Sequence, residues 1–123
     1  MARTKVKPKL HLCAAAWSLT NYPTATKQWS MDTKVRKAKE AGFEGFSAGS
    51  APDIVAAVSK HGMTLVGGVD CGSVKDAKPR MKAFADAGAV HVNVQLCDHD
   101  TPTAKALPVA HAVMKAGDEY GIK

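Results

Sequence analysis

No run in this sequence approaches the roughly 18 apolar residues of a membrane helix, so no membrane span is expected. There is no P-loop, no G-x-G-x-x-G and no G-x-S-x-G. Nucleotide binding and serine-hydrolase chemistry therefore have no motif behind them. Cysteine is scarce: Cys13, Cys71 and Cys97 are far apart, odd in number and without C-x-x-C spacing. That argues against a disulfide frame or a structural zinc site, and for reduced thiols in a cytoplasmic protein. No basic stripe alternates with aromatic residues, so a nucleic-acid partner is not expected either.

What is present fits one domain, or a piece of a larger one. The chain has 123 residues, 46% of them hydrophobic, enough for a packed core. The net charge of +6 is moderate. Lys34, Lys37, Lys39, Lys75, Lys78 and Lys82 fall on expected helix surfaces, interleaved with acids. Residues 1–9 form a basic arm carrying Arg3, Lys5, Lys7 and Lys9. No long apolar region follows it, so it is not a secretory signal. It reads as a solvated terminus or as a contact for a polyanion.

From Leu10 onward the chain repeats a pattern. Residues 10–17 open with alternation and end at Trp17, predicting a first buried strand, with a loop over 18–29. Ser30 or Asp32 caps a helix whose stripe is Met31, Val35, Ala38 and Ala41, and Gly42 ends it. Residues 43–47 make a second strand. Ser50 and Asp53 stand at capping-box spacing with Pro52 in the first turn. Ile54, Val55 and Val58 then face inward, and Gly62 ends that helix.

Residues 63–70 make a third strand, in which Gly67-Gly68 admits a close backbone or ligand. Ser73 and Asp76 repeat the capping spacing. Pro79 belongs in a first turn, which favours Asp76 as the cap. Phe84, Ala85 and Ala87 continue inward, and Gly88 ends the helix.

The clearest unit is Ala89-Val90-His91-Val92-Asn93-Val94-Gln95-Leu96, a strand whose valines alternate with polar residues. It runs into Cys97-Asp98-His99-Asp100. Thr101 and Pro102 then suit the N-cap and first position of a last helix. Pro108 should kink that helix or delay its start. Val109, Val113 and Tyr120 give it an apolar side, and Gly121 ends it.

Gly42, Gly62, Gly88 and Gly121 thus mark four equivalent helix ends, spaced by 20, 26 and 33 residues. Four βα units predict a parallel sheet with right-handed crossovers. Residues 10–123 are expected to form a (βα)4 domain, half of a (β/α)8 TIM barrel, with Ile122-Lys123 at the start of a fifth strand. The alternative is a flavodoxin-like open parallel sheet. Half a barrel leaves open sheet edges and an uncovered inner face. That predicts a homo-oligomer, pairing with a complementary half-barrel, or marginal stability.

Gly42-Phe43-Glu44-Gly45-Phe46, the Gly-rich third strand ending in Asp70, and His91-Val92-Asn93-Val94-Gln95 together resemble the amino-terminal half of xylose-isomerase-like TIM barrels. That superfamily includes sugar phosphate isomerases and epimerases. The resemblance implies enediol-type proton transfer on a sugar or sugar phosphate. It also implies a divalent metal (manganese, magnesium, cobalt or zinc) in a full-length relative, held by acidic residues and a histidine on strands five to eight. A pair of glutamates there usually moves the proton. None of those positions falls in this chain, so no cofactor and no metal ligand are assigned to it. What carries over is a substrate-facing rim at Trp17, Asp70, Asn93 and Gln95. Ser47 stands where many relatives end Gly-x-Glu, which removes a carboxylate.

Each rim residue has an ordinary alternative. Trp17 either stacks on a sugar or plugs the loop beneath it. Asp70 either sits at a low-dielectric mouth, where its pKa would shift, or holds the next turn. His91, Asn93 and Gln95 share a face opposite the valines. A buried polar ladder there would call for a hydroxylated ligand or ordered water. The 97–100 loop has metal-binding residue types, but neighbours in sequence rarely converge on one ion. Its Asp100, with Thr101, is expected to cap the last helix. His11, His61 and His111 read as surface or packing histidines.

Two functions of different class follow. One is part of a metal-dependent sugar isomerase or epimerase, supplying substrate contacts. The other is a non-catalytic half-barrel module acting in assembly or ligand binding. An endonuclease acting at abasic DNA sites would need metal-ligand histidines on the third and fourth strands. Val69, Asp70 and Gln95 stand there instead.

Overall fold

The computed structural model describes residues 10–123; the basic arm over 1–9 lies outside them. In chain order the elements are β1 (Cys13–Ala15), a 3-10 turn (Ala16–Leu19), a small hairpin of β2 (Pro23–Thr24) and β3 (Lys27–Gln28), α1 (Met31–Glu40) and β4 (Gly45–Ala48). Then come α2 (Pro52–Lys60), β5 (Thr64–Cys71), α3 (Val74–Asp86), β6 (His91–Leu96) and α4 (Thr103–Tyr120).

The main sheet runs β1-β4-β5-β6, every neighbour parallel. Strand order therefore follows chain order without reversal. A flavodoxin-like sheet would place the first strand between its second and third, so that alternative is excluded. Right-handed crossovers that all step the same way put every helix on one face.

That face carries the core. Phe46, Leu65 and Val92 from the sheet meet Val35, Val58, Met81 and Phe84 from the helices, all buried. Cys71, Ala77 and Val109 form a smaller cluster beneath α4. α3 and α4 are further joined by Lys78 Nζ and Glu119 Oε1 at 2.7 Å.

The four glycine junctions are alike in three dimensions. Gly42, Gly62, Gly88 and Gly121 all have φ between 62° and 92°. After each, the next amide reaches back five residues: Phe43 to the Ala38 carbonyl, Met63 to Val58, Ala89 to Phe84, Ile122 to Gly117. This is the Schellman closure, and it needs a left-handed residue that glycine supplies without a side-chain clash. Beyond the last one, the Val92 amide donates to the Lys123 carbonyl at 2.9 Å. The final residue therefore bonds to β6 as a neighbouring strand would, although no strand forms over Ile122-Lys123.

Several local expectations are corrected. β1 is three residues long rather than eight, because Leu10 and Leu12 are exposed and Trp17 lies on the 3-10 turn. The 18–29 loop is partly ordered by the β2–β3 hairpin, over which Tyr22 and Trp29 pack with ring centroids 4.6 Å apart. Ser30, not Asp32, caps α1: its Oγ accepts from the Thr33 amide at 3.2 Å.

The capping boxes at Ser50 and Ser73 do not form. α2 starts at Pro52 after Ala51. The Ser73 hydroxyl donates to Asp76 Oδ2 at 2.7 Å instead of serving the backbone. α3 accordingly begins at Val74, and Pro79 lies inside it, at the cost of one backbone bond. α4 begins at Thr103, so Pro108 sits within it and does not delay its start. Thr101 does not cap it: its Oγ accepts from the Asp98 amide at 3.1 Å, closing the preceding loop, and Asp100 pairs with His99.

Candidate ligand-binding face

Strand side chains alternate, so one face of the sheet packs on helices and the other is left open. In β6, His91, Asn93 and Gln95 are exposed, while Val92 is buried and Val94 and Leu96 are partly covered. The sequence expectation about that alternation holds. The register places Gly68 beside Asn93 and Asp70 beside Gln95 on the open face, with Ser47, Val66 and His91 in the row below. The polar ladder is solvent-exposed and not buried, because no further sheet covers it among the described residues. Among the described residues, no buried side-chain polar atom lacks a partner. Desolvation therefore does not by itself demand a ligand there.

Gly67 and Gly68 divide between the two faces. A β-carbon at Gly67 would come within 2.8 Å of Val92 and closer still to Phe84. Its bareness makes room for the core. A β-carbon at Gly68 would meet nothing within 4 Å. Bareness there keeps the open face hollow.

The hollow is a pocket of about 510 Å³ at the carboxyl ends of β1 and β4. Trp17, Met31, Lys34, Ser47, Gly49 and Gly68 are among its walls. Trp17 is 86% exposed, so it is no plug beneath the loop. Asp70 is exposed at the rim, not at a low-dielectric mouth. Trp17 thus joins the hollow directly. Asn93 stands beside its Gly68 floor, with Asp70 and Gln95 one row further along.

Lys34, expected on a helix surface, is instead 7% exposed. Its Nζ donates to the Thr20 carbonyl at 3.4 Å, and no carboxylate pairs with it among the described residues. The signal was available: Met31, Lys34, Val35 and Ala38 stand at i, i+3, i+4 and i+7, so Lys34 belongs to the inward stripe.

The remaining candidates sit elsewhere. In the 97–100 loop, His99 lies between Asp98 (2.7 Å) and Asp100 (3.4 Å), all well exposed. Among the described residues, no three of His, Cys, Asp and Glu converge as metal ligands. These residues therefore do not fit the divalent metal that the resemblance implies for a full-length relative. His11 pairs with Glu44 at the foot of β4. His111 is exposed on α4. His61 is partly buried, with Nε2 3.0 Å from Asp32 Oδ1. Lys60 Nζ reaches the same oxygen at 2.9 Å. Lys60 and then His61 hold the Asp32 carboxyl below its usual value.

No protein-family model matches the chain, and no curated protein matches it in sequence. Solved structures do. A tetrameric deoxyribose phosphate aldolase from Aeropyrum pernix superposes with a TM-score of 0.63 at 14% identity, over 91% of this chain and 47% of that one. A plant β-glucan endohydrolase superposes with a TM-score of 0.56 at 18% identity, over 92% of this chain and 39% of that one. Both are TIM barrels, and this chain spans less than half the length of each. The fold is therefore α/β, four parallel βα units forming half of a (β/α)8 barrel. Among the described residues no helix is long and apolar enough to cross a membrane.

Proposed function

We propose that this chain is the substrate-contacting half of a TIM-barrel enzyme that acts on a sugar or sugar phosphate. The observation that carries the reading is the open face itself. Asn93, Gln95 and Asp70 stand in adjacent rows toward the carboxyl ends of β5 and β6, and Trp17 borders the hollow beside them. Barrel chemistry gathers at that end of the strands. An amide offers both donor and acceptor, a carboxylate accepts, and an indole face suits the apolar side of a pyranose. Two barrels of this fold are named for a deoxyribose phosphate and a β-glucan, which agrees with a carbohydrate ligand.

The finer reading comes from the family resemblance: a metal-dependent isomerase or epimerase working through an enediol. In that reading Trp17, Asp70, Asn93 and Gln95 orient the sugar, while metal and proton-moving groups stand on the other half of the barrel.

The test is a titration of isotopically labelled chain with D-xylose and with ribose 5-phosphate, following the side-chain amides of Asn93 and Gln95 by NMR. Saturable shifts at both amides are expected with at least one ligand. Unmoved amides at millimolar sugar would end the carbohydrate reading.

A second reading is assembly, as a homo-oligomer or with a complementary half-barrel. β1 ends the sheet with no strand beyond it among the described residues. It borders an apolar groove of about 530 Å³ lined by Leu19, Tyr22, Trp29 and Phe43. Sedimentation should give a species heavier than 12.9 kDa. A strict monomer at high concentration would remove self-association.

A further inference from the structure

We propose that the hollow beside Lys34 is an oxyanion site, and that the ligand of the open face carries a phosphate group seated there. The inference rests on the carbohydrate reading only for the identity of the rest of the ligand.

An ammonium withdrawn from water is costly unless its donors and its charge are answered. Lys34 has three N–H donors. One long bond to the Thr20 carbonyl is what the described residues supply, with no counter-charge. The residue as a whole is only 7% exposed, held in the inward stripe of α1, and its bond to Thr20 is partly buried. Asp32 is no remedy, because its carboxylate is engaged by Lys60 and His61. An anion in the hollow completes what the chain leaves incomplete.

The walls suit a phosphate. No acidic residue lines the hollow, so a phosphate there meets no repulsion from its walls. Ser47 adds a hydroxyl that can donate. Gly49 and Gly68 bring bare backbone to the cavity, and Met31, the first residue of α1, places the positive end of that helix beside it. A volume of about 510 Å³ holds a phosphate with room left for part of a sugar. Gly68, on its wall, is paired with Asn93 across the sheet. A sugar phosphate would then lie with its phosphate by Lys34 and its hydroxyls along Asn93 and Gln95. Asp70 lies in the row beyond Gly68 and keeps a second phosphate away from that end.

The experiment uses the whole chain and inorganic phosphate as probe. The backbone amides of Gly49 and Gly68 are followed by NMR at constant ionic strength, with chloride as the control anion. Saturable shifts with phosphate and none with chloride are expected. Lys34→Met, which keeps the length of the side chain, should weaken phosphate at least tenfold. If that variant loses its dispersed spectrum, Gly68→Val replaces it. A β-carbon there meets nothing within 4 Å and lies on the hollow's side of the sheet, away from the core, so this variant too should weaken phosphate at least tenfold.

Equal shifts with chloride, or phosphate shifts that survive both substitutions, overturn the proposal. The two readings part cleanly. Phosphate binding without sugar-induced shifts at Asn93 and Gln95 keeps the oxyanion site and removes the carbohydrate reading. D-xylose binding at those amides without any phosphate effect does the reverse.

Discussion

The Phe84 ring lies against the bare α-carbon of Gly67, so close that a β-carbon there would come within 2.7 Å of it. Phe84 is 1% exposed and Val92 8%, so any shift must be made within the packed core. Gly67→Ala should therefore destabilise the chain by about 1–3 kcal/mol, the usual cost of overpacking. Gly68→Ala faces open space and trims only the freedom of the unfolded chain. It should leave stability unchanged or raise it by up to about 1 kcal/mol. Urea midpoints of the two variants give the comparison. Equal effects would mean that the two glycines do not serve opposite faces.

Ser30 stands at the entrance to α1, where its hydroxyl takes the Thr33 amide. Ser30→Ala should cost about 1 kcal/mol, as for other N-cap losses. Ser73→Ala provides the contrast, because Ser73 satisfies a carboxylate and no helix amide. Thermal melts should show the first variant clearly below the second.

These two serines also show where the sequence was readable and where it was not. The repeat was plain, since each helix needs a left-handed residue to turn back toward the sheet and only Gly42, Gly62, Gly88 and Gly121 offered one at the right places. The two faces of β6 were plain for the same kind of reason: valines and amides cannot exchange sides without a one-residue slip. Capping was less legible. A hydroxyl three residues before a carboxylate can serve the backbone or the carboxylate, and the choice depends on where the loop arrives. Leu10 and Leu12 alternate like a strand, yet both are exposed. The β2–β3 hairpin is too short to show alternation at all. Lys34 was missed because its charge was weighed and its helical phase was not. Three walls of the hollow, Met31, Lys34 and Gly49, thus stay hidden in the sequence, whereas Trp17 and the open-face residues beside it are expected at the rim.

Asp32 gives the fold a pH dependence of known sign. Its carboxyl is held below the ordinary value by hydrogen bonds from Lys60 and His61. A folded value below the unfolded one means stability present above the ordinary carboxylate range and lost as pH falls through the folded value. Asp32→Asn removes the ion pairs joining the start of α1 to the end of α2. The variant should be less stable than the parent at pH 7, and the gap should close as both are taken to about pH 2. A gap independent of pH would assign the effect to packing.

The cysteines report on the small core beneath α4. Cys71 is buried with Ala77 and Val109, whereas Cys13 is exposed on the open face and Cys97 is partly so. A thiol reagent reaches a buried sulfur only through opening of the elements above it. Cys13 and Cys97 should label promptly under native conditions, and Cys71 at a rate that follows unfolding of α3 and α4. Lys78→Ala removes the exposed ion pair between those helices, a contact that solvent largely screens. It should quicken Cys71 by at most about fivefold and leave Cys13 unchanged. Peptide mapping of the labelled chain separates the three sites. Native Cys71 labelling as fast as Cys13 would show that α4 does not cover β5 as described.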